Sequence, residues 1–129
     1  MSRFVLCGII AISLVGCHQA HNVAVTGVAR PKIDEDAVRY YVSPPAHYLV
    51  VGVIAAEAHQ FTPHGRKSNL LQELREAAAE VGANGVLLDP AQVSLPSGQL
   101  IDKPLSADAV ELFLNTDENL HATAIYVEN

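Results

Sequence analysis

Residues 68–89 read SNLLQELREAAAEVGANGVLLD. Leu70, Leu74, Ala77 and Val81 recur at three- and four-residue intervals, with Leu71 and Ala78 beside them. A helix here carries one continuous apolar stripe, which it must turn toward a sheet. Glu73, Glu76 and Glu80 form an acidic stripe opposite the leucines, a face on which a partner could dock, with a solvated face the commoner reading. Ser68 is the expected N-cap, and Gly82 stands where the chain needs a left-handed residue to leave the helix. Directly after it, GVLLD reads as a buried strand.

Upstream lies AVRYYVSPPAHYLVVGVIAAE, residues 37–57. Val38, Tyr40 and Val42 alternate with polar or exposed positions, which predicts a short strand stopped by Pro44 and Pro45. His47 to Ala55 is β-branched and almost continuously apolar, as in a central strand covered on both faces. Downstream, residues 90–106 contain Pro90, Pro96, Gly98 and Pro104 without any period and read as a long exposed loop. Two apolar runs, Ala109 to Leu114 and Leu120 to Val127, flank NTDEN and predict a terminal β-hairpin. The expected fold class is α+β: a small mixed sheet of about five strands with one main helix packed on one face. A parallel pair joined by the helix would cross over right-handed.

The chain begins Met1-Ser2-Arg3 and then runs FVLCGIIAISLVG without a charge, the plan of a secretory signal peptide. This apolar run is short of the roughly 20 residues a spanning helix needs. It ends Leu14-Val15-Gly16-Cys17, which resembles the lipobox of bacterial lipoprotein precursors. The resemblance implies cleavage between Gly16 and Cys17, with a thioether-linked diacylglycerol on Cys17 and a further acyl chain on the new amino terminus. One acyl chain holds a protein to a bilayer only marginally, whereas two or three hold it firmly, at about 0.8 kcal/mol per buried methylene. His18 after the cysteine, in place of Asp, resembles sorting to the outer membrane, on its periplasmic face. The expected organisation is a signal peptide over 1–16, an acylated cysteine and tether over 17–36, and one α+β domain over 37–129.

Removing residues 1–16 leaves 113 of the 129 residues, enough for one domain and not two. Cys7 leaves with them, so with Cys17 acylated no thiol remains to form a disulfide. Loss of Arg3 leaves seven basic residues against 14 acidic ones. That balance argues against nucleic acid, which needs a basic face, and against adhesion to anionic headgroups. The expected membrane attachment is therefore the lipid on Cys17, with no separate cofactor.

YLVVGVIAAE, then LLQELREAAAEVGANGVLL, then ATAIYV are together similar to a pattern in small bacterial envelope proteins. That set includes the YbjQ-type domains, the sensor lipoprotein of the Rcs envelope-stress relay, and uncharacterised proteobacterial lipoproteins. RPKIDEDAVRYYVSPPAHYLVVG resembles the lead of the last group. The resemblance spans about residues 30 to 127 and implies a shared fold more than an activity. The disulfide-forming cysteines and proline-rich tether of the Rcs sensor have no counterpart here, so its redox chemistry is not implied.

Candidate sites are few. His47, His59 and His64 form the candidate metal set, with Glu57 nearby, but no CxxC, HxxxH or HExxH spacing joins them. Solvated loop histidines are the simpler reading. The serines of the mature chain lack a G-x-S-x-G context, and VGANG leaves a helix rather than opening one around a phosphate. An enzyme is not expected. Tyr40, Tyr41 and Tyr48 around Pro44 and Pro45 form a candidate protein-contact surface, although core packing accounts equally well for at least one of them. Arg66 and Lys67 precede the helix as a candidate contact for an anionic partner, with an exposed loop the first reading. The expected function is a lipid-anchored, non-catalytic module that binds or senses through contacts with an envelope protein. The alternative is a periplasmic metal-binding domain using histidines.

Overall fold

A computed structural model of the chain describes residues 22–57, 66–96 and 100–128. Five strands form one mixed sheet: β1 (Asn22–Val25), β2 (Arg39–Tyr41), β3 (Tyr48–Glu57), β4 (Gly85–Leu88) and β5 (Asn119–Val127). Their spatial order is β1-β3-β5-β4-β2. β5 runs antiparallel between β3 and β4, and β2 joins the far edge parallel to β4. The main helix, α1 (Arg66–Glu80), connects β3 to β4 and packs on one face of the sheet. The α+β class with its single main helix is thus present.

The helix buries Leu70, Leu71, Leu74, Ala77, Ala78 and Ala79, the stripe that its periodicity predicts. Opposite them lie Val51, Ile54 and Ala56 of β3, Val86 and Leu88 of β4, and Leu120, Ala122 and Ala124 of β5. The helix exit is a Schellman turn: Gly82 N–H donates to the Ala79 carbonyl at 3.0 Å and Ala83 N–H to that of Ala78 at 2.9 Å, with Gly82 at φ +76°. The segment after β1 covers the same end. Arg30 N–H donates to the Val81 carbonyl at 2.9 Å and Ile33 N–H to that of Ala79 at 3.1 Å. Helix-end acceptors that have no intrahelical partner are satisfied in this way.

Several expectations change. Asn22–Val25, within the segment read as a tether, pair antiparallel with β3. Gly52 permits that pairing, since a Cβ there would lie 2.5 Å from the Ala24 carbonyl oxygen. Ser68 lies inside the helix rather than at its cap, because Arg66 and Lys67 extend the first turn. Lys67 Nζ ties that turn to the Leu114 carbonyl at 3.2 Å.

The terminal hairpin is absent. Ala107–Glu111 form a short helix, α2, capped by Ser106, whose Oγ accepts from Ala109 N–H at 3.3 Å. The run from Ala109 to Leu114 has no strict alternation, and the Ser106 cap with Asp108 in the first turn favours helix. The fifth strand comes instead from β1. The described part of the 90–106 loop is also pinned: Pro90–Gln92 make a 3-10 turn capped by Asp89, Val93 bridges to Leu114, and Leu105 bridges to Tyr40.

Candidate binding groove

The sheet has two unequal faces. Antiparallel partners share a face, so the pairs Ala24–Val53, Val53–Thr123, Ala55–His121 and Leu87–Thr123 all lie opposite α1. Among the described residues no second layer covers them completely, and Val50 and Val53 remain 46% and 48% exposed. Among the described residues β3 is therefore fully covered on one face only, by the main helix.

This open face is hollowed into a groove of about 710 Å³. Its floor takes small side chains, Ala24, Ala55 and Thr123, with Val53 and Leu87 beside them. Its walls rise where the chain leaves two strands: Val42 and Pro44 beyond β2, and Asp89 and Pro90 beyond β4. The volume falls within the roughly 300–1,000 Å³ usual for small-molecule sites, which are likewise mostly apolar with a few polar groups. The polar lining is Thr123, His121 and Asp89. Asp89 Oδ1 already accepts from Ala91 N–H at 3.0 Å, capping the turn that forms the wall. His121 is held by its backbone: its N–H donates to Gln92 Oε1 at 2.8 Å, and its carbonyl accepts from Asp89 N–H at 3.2 Å. The arrangement offers an apolar surface with a polar border.

Beside the groove, Ile125 pairs with Gly85 and is fully buried. A Cβ on Gly85 would meet Ile125 Cγ1 at 2.8 Å and Tyr41 Cε1 at 3.1 Å, so these two side chains close over the glycine. Tyr41 is thereby interior. Tyr40, on the opposite side of β2, is interior as well, 1% exposed, with its hydroxyl donating to the Leu71 carbonyl. The aromatic surface expected around Pro44 and Pro45 is thus reduced. Tyr48 is half-buried at the start of β3, Pro45 is half-buried, and Pro44 is exposed on the groove wall.

Gly16, Cys17, His59 and His64 lie outside the described residues. His47 is exposed before β3, and its carbonyl accepts from Glu128 N–H at 3.1 Å. Among the described residues no three His, Cys, Asp or Glu side chains converge as metal ligands. The acidic stripe is half-buried rather than freely solvated: Glu80 pairs with Lys32 at 3.5 Å, and Glu73 Oε2 accepts from Glu57 N–H at 3.2 Å. No helix among the described residues is long and apolar enough to cross a membrane.

Sequence reasoning did not find Ala24, Val53, Leu87, His121 or Thr123 as groove residues. The usable signal was the alternation in LHATAIYV, where Leu120, Ala122 and Ala124 face the helix and His121 and Thr123 face away. The depression itself depends on small residues from three strands meeting, which no single segment displays.

No family model matches the chain, and no curated protein matches it. Among solved structures, the Francisella virulence factor FvfA in an orthorhombic crystal form is similar at a TM-score of 0.40 and 14% identity, over 84% of this chain and 96% of that one.

Proposed function

We propose that this chain is a lipid-anchored lipoprotein of the bacterial cell envelope whose α+β domain is a non-catalytic binding module, with the open sheet face as its binding surface. The observation that carries the binding role is the groove: apolar side chains from strands and loops surround about 710 Å³ of space. A contiguous uncovered apolar surface of this kind marks an interaction site more often than an accident of folding. The lipobox-like Leu14-Val15-Gly16-Cys17 supports the anchor, and His18 supports placement on the periplasmic face of the outer membrane. Contact with a protein partner through the Tyr40–Tyr48 segment loses most of its support, because Tyr40 and Tyr41 are interior.

Two measurements test this reading. A Cys17→Ser chain, exported behind an ordinary cleavable leader, should leave the membrane fraction; retention there would refute the anchor. A photo-crosslinking residue at Thr123 should capture a ligand in cells that one at Leu112, an 83% exposed residue in α2's continuation, does not. Equal capture at the two positions would refute the groove as the binding surface.

A further inference from the structure

We infer that the groove accepts one acyl chain of a zwitterionic phospholipid drawn from the membrane that holds the protein. The inference rests on the anchor reading for the source of the lipid and deepens the binding role by naming its ligand.

Three observations lead to it. The first is chemistry: Ala24, Val53, Ala55, Leu87, Val42 and Pro44 present methyl and methylene surface, which suits an unbranched hydrocarbon. Recognition by such walls is by area and shape, with no directional bond required. The second is reach. Cys17 precedes Asn22, the first residue of β1, by five positions, which span at most about 18 Å even when extended. Ala24, two residues further on, lines the groove, so an anchor at Cys17 keeps the groove close to the bilayer surface. The third is charge. The seven basic against 14 acidic residues left after Gly16, and Asp89 in the lining, disfavour a purely anionic headgroup, whereas a zwitterionic one places a cation as well as a phosphate at the polar border.

An acyl chain gains little by moving from one apolar medium to another, so the occupied groove exchanges with the bilayer rather than storing lipid. Thr123, Ala55 and Ala24 leave the space; larger side chains there would fill it.

The test uses the lipidated protein reconstituted in phosphatidylethanolamine vesicles containing lysophosphatidylethanolamine with a photoreactive sixteen-carbon chain. After irradiation, adducts are mapped by peptide mass spectrometry. Adducts should concentrate on β3 and β5 groove positions, and Thr123→Trp should reduce them at least fivefold. Val53→Glu, at a half-exposed position, should do the same and stands in if the tryptophan variant fails to fold. Labelling spread over the surface and indifferent to both substitutions would overturn the inference. So would groove labelling that rises in the Cys17→Ser chain, which would mean that the protein's own acyl groups fill the site. With the photo-crosslinking residue at Thr123 in cells, protein-sized adducts without lipid adducts would overturn it in favour of a protein partner. Failure of the anchor reading is distinguishable: the wild-type protein would fractionate as soluble yet still label in the groove with dispersed probe.

Discussion

The hydroxyl of Tyr40 on edge strand β2 donates to the main-chain carbonyl of Leu71 in α1 at 2.6 Å, joining residues 31 positions apart. β2 has three residues, pairs with β4 on one side and meets only the isolated bridge from Leu105 on the other, so this bond and the buried ring help hold the sheet edge against the helix. Arg75 lies over the same ring, 5.1 Å from its centre. Tyr40→Phe should lower stability by about 0.5–1.5 kcal/mol, the worth of one hydrogen bond. Tyr40→Ala should cost about 3–5 kcal/mol, as for other buried aromatic deletions. Urea unfolding of both variants at neutral pH measures the difference.

The same residue predicts a response to alkali. Burial pushes the Tyr40 hydroxyl up to about 12, against the pull of the Arg75 guanidinium. Burial also raises Tyr41. An unfolded tyrosine ionises near pH 10, so above that pH the unfolded chain has released protons that the folded chain still holds. Stability is therefore full below about pH 10 and falls as the pH rises toward 12. Denaturation midpoints between pH 9 and 12 should fall less steeply for Tyr40→Phe, with the remaining slope including Tyr41.

Asn84 gives the GANG segment a second role. Its Oδ1 accepts from Val127 N–H at 2.6 Å and its Nδ2 donates to the Val127 carbonyl at 3.2 Å, so the side chain clamps the end of β5 in the manner of a further strand residue. Asn84→Asp keeps the acceptor and sets a carboxylate oxygen against the carbonyl. It should cost at least as much as Asn84→Ala, about 1–3 kcal/mol. Equal stability of Asn84→Asp and wild type in urea would remove the clamp.

Gly82 is constrained twice. Its φ is +76°, and an added Cβ would lie 2.6 Å from both the carbonyl carbon and oxygen of Arg30. Asparagine, which usually tolerates the left-handed region, should therefore fail to substitute: Gly82→Asn and Gly82→Ala should both lose more than about 1 kcal/mol. Thermal unfolding in which asparagine restores wild-type stability would show that backbone conformation alone mattered.

Two cations near the helix end should differ in importance. Arg30 stacks on the Tyr126 ring at 3.7 Å, whereas Lys32 makes an exposed pair with Glu80 at 3.5 Å. Arg30→Ala should cost about 0.5–2 kcal/mol. Lys32→Ala should stay within about 0.5 kcal/mol of wild type, and less in high salt.

The sequence by itself determined the elements whose signals are local. The helix stripe, its exit at Gly82 and the strand that follows depend on contacts within four or five residues and on one glycine's freedom at positive φ, so they are legible without a partner. The short strand around Tyr40 was legible for the same reason, because Pro44 and Pro45 stop it. Tertiary structure decided everything that depends on pairing at a distance. Asn22–Val25 became a strand because β3 offered an edge and Gly52 allowed close approach. Ala109 to Leu114 did not, because Ser106 caps a helix there and β5 already has neighbours on both sides. Tyr41 was drawn inside by the room above Gly85, and the groove exists only because small residues of β1, β3 and β5 are brought side by side. Strand register is a property of two strands at once, and a concave surface is a property of several; neither is encoded in the pattern of any one segment.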